Sequence, residues 1–241
     1  MEEVAIFRIL MFGKETLMPY LLDRKIAVVD YIMVSHFDTD HVGGLLYIMQ
    51  NMKVKNAIIS NQAEASQNFQ EFIKIVKEKR INLIVVNAGD KLNIENDLYF
   101  NILWPDKNAF ISENTLNNNS IVCKLIYKNF SCVFTGDIEE IAEKKILEKY
   151  KKKPNLLKAD TLKVAHHGSK TSSTEEFIDA VKPKNALIGV GRNNNFGHPN
   201  KQIIDSLQGG GAKVFRTDQN GEINIVVNRN GKIVNIQKFI K

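Results

Sequence analysis

Four potential metal-ligating side chains fall within six positions in the segment Ser35-His36-Phe37-Asp38-Thr39-Asp40-His41-Val42-Gly43-Gly44. The segment follows an apolar stretch, Ile26 to Ser35, whose Val28, Val29, Ile32, Met33 and Val34 read as a buried strand. After it an apolar helix is expected to about Gln50. A chain patterned this way carries nitrogen and carboxylate donors in a short loop at the end of a strand, where borderline and hard divalent cations are held. In an extended turn His36, Asp38 and Asp40 point to one side, and His41 at the helix start reaches a neighbouring position. Two cations about 3.5–4 Å apart would then clamp a phosphate or carbonyl. Helix capping by an Asp accounts for Asp40 but for neither Asp38 nor His36.

The remaining histidines repeat the placement. His166, His167 and His198 stand in loops after strand-like segments, so none of the five lies on an apolar helix face. Helices are expected near 15–24, 64–79, 139–150 and 173–181, and one opening at Pro199. Strands are expected near 56–60, 81–86, 91–94, 98–104, 161–165, 185–190, 213–216, 222–227 and 232–236. A hairpin pairs 120–127 with 130–135 across Lys128 and Asn129. With no Pro-, Gly- or Ser-rich linker and no long-period repeat, one domain over 1–241 is expected, an α+β chain with helices covering a pair of packed sheets.

Composition narrows the class. A chain with 44% hydrophobic and 25% charged residues is neither disordered nor a coiled-coil rod. Its apolar runs fall short of the roughly 20 residues that cross a bilayer, so no membrane span is expected. Residues 1 to 12 lack the basic start and cleavage site of a secretory signal. Cys123 and Cys132 are too few for a disulfide framework and read as buried thiols on adjacent strands. The net charge of +6 suits an anionic partner without demanding one. Lys144, Lys145, Lys149, Lys151, Lys152 and Lys153 read as a solvated helix end.

Three further tracts carry candidate chemistry. Asp137, after Thr135-Gly136 at a strand end, suits a carboxylate bridging two cations, and equally a turn or helix cap. Asn117-Asn118-Asn119-Ser120 offers amides and a hydroxyl to substrate oxygens, or is simply a polar loop. His166-His167-Gly168-Ser169-Lys170-Thr171-Ser172-Ser173 combines ligands, a general acid and anion donors, and its hydroxyls also fit a helix cap with Glu176.

Together these motifs, with Ala159-Asp160, Gly197-His198-Pro199 and Arg216-Thr217-Asp218-Gln219-Asn220-Gly221, resemble the metallo-β-lactamase fold. More narrowly they resemble the hydrolase domain of ComEC-type competence proteins of DNA uptake, over about residues 17 to 228. The resemblance implies a four-layer αββα sandwich, here N-terminally truncated, because the family's two opening glycine-rich turns are missing and residues 1–12 need not belong to the fold. It implies two divalent ions, Zn²⁺ or Mn²⁺, with the oxygen-rich first motif favouring Mn²⁺ beside Zn²⁺. His36 and Asp38 would hold one ion, Asp40 and His41 the other, and Asp137 would bridge. His198 would be the last ligand, with His166 or His167 a ligand or proton donor. Asp40, His166 and His167 are then the catalytic candidates, and Asn118, Asn119, Ser120, Ser169 and Lys170 the substrate-binding ones.

The implied activity is hydrolysis of phosphodiesters, DNA foremost, by attack of metal-held hydroxide on phosphorus. Two alternatives stand beside it: an inactive remnant or binding module of a DNA-uptake protein, and a hydrolase of small esters or thioesters. Fold alone does not choose among them. A stand-alone chain would be cytoplasmic, and the equivalent part of a channel protein would lie on the outer face of the membrane. A channel protein is the implied partner if the gene is split.

Overall fold

The computed structural model describes residues 12–61 and 66–239. The expectations for residues 1 to 11, and for a helix beginning at 64, lie outside the described residues. The chain separates into two compact units at the Val86/Asn87 junction.

In the first unit, strands β1 (Val28–Met33), β2 (Lys53–Ser60) and β3 (Asn82–Val86) form a parallel sheet in that order. Parallel neighbours need a crossover, and the helical segments supply one each: α2 (Thr39–Asn51) joins β1 to β2, and α3 (Gln67–Lys79) joins β2 to β3. The helix expected near 15–24 is a wide turn, Gly13–Leu17, running into α1 (Met18–Asp23). Helix α3 starts where Ser66 Oγ accepts from Phe69 N at 3.2 Å, and it buries Phe72, Ile75 and Val76. Phe37, just after β1, packs edge-on to Phe69 and Phe72 at 5.0 and 5.3 Å, fixing the loop that carries the first motif.

The second unit holds β4 (Lys91–Glu95), β5 (Leu98–Trp104), β6 (Val122–Tyr127), β7 (Phe130–Phe134), β8 (Thr161–Lys163), β9 (Asn185–Ile188) and β10 (Lys213–Arg216) in one sheet, in chain order. Strands β4 to β7 are antiparallel; β7 to β10 are parallel, joined through α4 (Glu140–Tyr150), α5 (Glu175–Val181) and α6 (Lys201–Gly209). Trp104, Val133, Ile138, Ile146, Leu162, Phe177 and Leu207 are buried in its core. Strands β11 (Glu222–Val227) and β12 (Ile233–Phe239) make a separate hairpin. Cys123 and Cys132 are buried thiols outside any disulfide, on neighbouring β6 and β7 as expected, and burial pushes both thiols upward in pKa.

Because β7 to β10 run parallel, they end on one edge of the sheet. Gly136-Asp137 follows β7, the His166-His167 turn follows β8, and the loop to His198 follows β9. In open parallel sheets this carboxyl edge is where ligands bind. Strand β8 stops at Lys163, short of the expected 165, and the chain then takes a tight turn over Ala165–Gly168.

Candidate metal centre

In the first unit the chain leaves β1 extended, with Val34 N donating to Ile58 O at 2.9 Å. His36 is completely buried. Ser35 Oγ lies 3.1 Å from His36 Nδ1 and 3.5 Å from His41 Nδ1, so one hydroxyl orients both imidazoles, whose centroids are 4.1 Å apart. The far nitrogens then face carboxylates: His36 Nε2 is 3.5 Å from Asp38 Oδ2, and His41 Nε2 is 3.8 Å from Asp40 Oδ2. Asp38 occupies the N-cap position of α2 without capping it by its side chain. Asn68 clamps the loop from α3, its Nδ2 donating to Phe37 O at 2.9 Å and Thr39 Oγ1 at 3.1 Å.

The second unit builds its set on the carboxyl edge of the sheet. His166 and His167 have φ of 45° and 53°, left-handed conformations that cost non-glycine residues energy and recur at functional sites. Gly168 completes the turn at φ 80°, and a Cβ there would meet Pro199 Cβ at 2.6 Å. This close approach, with Asn200 N donating to Gly168 O at 2.8 Å, seats the His198 loop beside the histidine turn. Asn194 fixes His198 on both sides, its Oδ1 accepting from His198 N at 3.0 Å and its Nδ2 donating to His198 O at 2.8 Å.

The ring nitrogens are sorted by their partners. His167 Nδ1 is 2.7 Å from Gly189 O, a carbonyl that can only accept, so this nitrogen carries the proton. The neutral ring therefore presents Nε2 as an acceptor, and Nε2 lies 3.4 Å from Asp137 Oδ2, another acceptor. Such a pair is stable only with a cation or an added proton between the two atoms. His166 Nδ1 sits 3.4 Å from Glu139 Oε1. Glu139 is itself held by Thr171 Oγ1 at 2.8 Å and Asn114 Nδ2 at 3.0 Å. The His198 ring is 5.8 Å from that of His166 and stacks on Phe196 at 5.9 Å. Partial burial, then the neighbouring His166 and His167, hold its pKa below the usual range, favouring the neutral ring that coordinates metals.

The asparagine tract faces inward. Asn118, Asn119 and Ser120 are buried. Asn119 bonds the backbone of Ile111 on both sides, at 3.1 and 2.8 Å. Asn118 Oδ1 accepts from Glu139 N at 3.0 Å, and its carbonyl accepts from Trp104 Nε1 at 2.8 Å. Ser120 Oγ accepts from Asp137 N at 3.2 Å. The tract thus fixes the backbone at Asp137 and Glu139. Ser169 is buried with its hydroxyl 3.0 Å from Thr171 Oγ1, whereas Lys170 is exposed. Glu139, Asn194 and Asn68 had no motif to mark them; only the position of Glu139 two residues after Asp137 offered a signal.

A model of the metallo-beta-lactamase superfamily matches residues 4–192. The chain belongs to the metallo-β-lactamase superfamily. It is 35% identical over 211 residues to ComE operon protein 3 of Bacillus subtilis, covering 88% of this chain and 26% of that protein. It is 27% identical over 216 residues to competence protein ComA of Neisseria gonorrhoeae, covering 89% and 28%. The superfamily domain thus spans about a quarter of the length of these relatives. Among solved structures, CmlA, a diiron β-hydroxylase from Streptomyces venezuelae, aligns at a TM-score of 0.54 and 13% identity, over 79% of this chain and 44% of that one. That likeness concerns the metallo-β-lactamase fold alone.

Metallo-β-lactamase proteins are generally metal-dependent hydrolases, and the donors present fit divalent ions. His36 Nε2 is buried with no hydrogen-bond partner among the described residues. His167 Nε2 and Asp137 Oδ2 face each other as acceptors. Imidazole and carboxylate donors of this kind suit Zn²⁺ or Mn²⁺. No helix of the described residues is long and apolar enough to cross a membrane.

Proposed function

We propose that the chain is a two-metal phosphodiesterase acting on DNA. The observation that carries the reading is the pairing of His167 Nε2 with Asp137 Oδ2 at 3.4 Å, with Nδ1 committed to the Gly189 carbonyl. On the motif resemblance, His36 with Asp38, Asp40 with His41, and Asp137 would hold the two ions. His167 and His198 complete the donor set. When bound, the ions supply Lewis-acid activation of water and neutralise charge on the phosphoryl oxygens.

The chain's own residues do the rest. Asp40 accepts a proton from the attacking water. His166, whose Nδ1 lies 3.4 Å from Glu139 Oε1, donates one to the leaving oxygen from Nε2. Exposed Lys170 and the Ser169 hydroxyl bind nonbridging oxygens, while Asn118 and Ser120 act through the backbone of Glu139 and Asp137 and Asn119 through that of Ile111. The competence names of the relatives favour DNA over small phosphodiesters.

Cleavage of a labelled oligonucleotide by metal-stripped protein, with and without added Mn²⁺, tests the reading. Cleavage should need the ion and vanish in Asp40→Ala. Metal-independent cleavage, or cleavage undiminished in the variant, would overturn it. Preference for an uncharged thioester over every phosphodiester would transfer the activity to another substrate class.

A further inference from the structure

One cavity lined by the second unit is remote from its histidines. It has a volume of about 1020 Å³ and lies beside the first residues of β7, β9 and β10. The register places Thr161 of β8 beside Asn185 of β9, and Asn185 beside Lys213 of β10, so these strand starts share one edge. It is the sheet edge opposite the one from which Asp137, His167 and His198 emerge.

The hairpin β11–β12 forms the other wall, and its turn is anchored. A Cβ on Gly231 would come within 2.5 Å of both Asn129 N and Tyr127 O, so the turn lies directly on the β6–β7 turn. Asn129 Nδ2 also donates to Asn230 O at 3.0 Å. The wall is therefore held in place at its tip.

Four lysines line this cavity, Lys184, Lys213, Lys232 and Lys238, against one carboxylate, Asp160. Asp160 Oδ1 is engaged by Lys184 Nζ at 2.9 Å. No ion pair forms on Lys213, Lys232 or Lys238 among the described residues, which leaves three cations facing the space. The lining between them is apolar, with Phe130, Phe215, Ile233 and Ile236. Cations tracking a backbone beside aromatic rings are the combination that binds single-stranded nucleic acid. A duplex is too wide to enter a recess of this size.

We propose that this cleft is a second nucleic-acid site, which takes the phosphate backbone of a single strand on Lys213, Lys232 and Lys238 with bases against Phe215. It would hold the strand away from the hydrolytic edge of the same sheet. The choice of a nucleic-acid strand over another polyanion rests on the phosphodiesterase reading. Binding is measured without cleavage, so the two ideas can fail separately.

The test is fluorescence anisotropy of a labelled single-stranded oligonucleotide in EDTA, across a salt series. The double variant Lys213→Gln/Lys232→Gln should bind about tenfold more weakly, with a salt slope shallower by about 1.4 for two lost phosphate contacts. Lys238→Gln alone carries the same expectation on a smaller scale and guards against misfolding of the double variant. Equal loss on neutralising Lys152 and Lys153 instead would reduce the effect to net charge and overturn the site. So would unchanged binding in both cleft variants, duplex binding as tight as the strand, or equal competition by polyglutamate.

Discussion

Asp137 Oδ2 and His167 Nε2 stand 3.4 Å apart, while the other nitrogen of the same imidazole is committed to the Gly189 carbonyl at 2.7 Å. A carbonyl that orients a ligating histidine from behind is a recurrent feature of metal sites. Removing either side chain should therefore weaken ion binding more than it weakens the fold. In the parent, Mn²⁺ at a hundredfold excess over its Kd should add about 2.7 kcal/mol of stability. In His167→Ala the affinity should fall at least about tenfold, and in Asp137→Ala the thermal shift should disappear. Calorimetric titration with a thermal melt reads both; an undiminished shift in Asp137→Ala would remove Asp137 from the ligand set.

Asn68 reaches from α3 to the loop that carries His36 and His41, donating to Phe37 O and Thr39 Oγ1. Among the described residues it makes no hydrogen bond to a candidate ligand, so its effect runs through the loop's geometry. Asn68→Ala should cost about 1–2 kcal/mol from the two lost bonds. It should also lower Mn²⁺ affinity about 10- to 100-fold, the range for residues that orient ligands. Affinity equal to the parent's, with only the melting point lowered, would make Asn68 purely a fold residue.

Glu143 of α4 is a fully buried carboxylate that accepts from Ser173 N at 2.5 Å and Thr174 N at 2.8 Å. Those bonds pin Ser173 in a left-handed conformation, φ 58°, at the end of the histidine turn's loop. Burial outweighs them and pushes the carboxyl up to about 7. The folded state then binds a proton that the unfolded chain releases near its ordinary value of 4.5. Stability should fall as pH rises from that ordinary value to about 7, and level off above. The slope from this group is at most about 1.4 kcal/mol per pH unit. Glu143→Gln removes the titration, and denaturant melts across this range should show its curve flatter than the parent's. Parallel curves would mean that Glu143 is ionised in the fold throughout.

The first metal motif is legible because its donors are neighbours in sequence and the strand and helix that flank it are strongly patterned. The order of strands and helices is legible for the same reason, and family membership follows from the motifs in series. The pairing of Asp137 with His167 is a contact between loops after two adjacent parallel strands, and no local pattern reports it. The left-handed turn at His166 and His167 is invisible because nothing in those residue types asks for positive φ, so β8 is expected to run two residues too far. Asn118 and Asn119 look like donors to a substrate; the demands they meet come from the backbone of Ile111, Glu113 and Glu139, which only the folded chain brings to them.

Gly168 joins the histidine turn to the His198 loop under two separate constraints, and three glycines can tell them apart. Its φ of 80° disfavours any side chain, and a Cβ would also overlap Pro199 Cβ at 2.6 Å, where a proline ring cannot swing aside. Gly197 has the backbone constraint alone, at φ 72° with nothing within 4 Å, and Gly191 has neither. Substitution by Ala should therefore be near neutral at Gly191, cost about 1–2 kcal/mol at Gly197 and about 2–4 kcal/mol at Gly168. The last corresponds to a melting point lower by roughly 5–15 °C for a chain of this size. Gly168→Ala should also weaken Mn²⁺ binding, because relief of the overlap must move Pro199 and with it His198. Equal losses at Gly168 and Gly197 would show that conformation alone governs the turn and that the contact with Pro199 adds nothing.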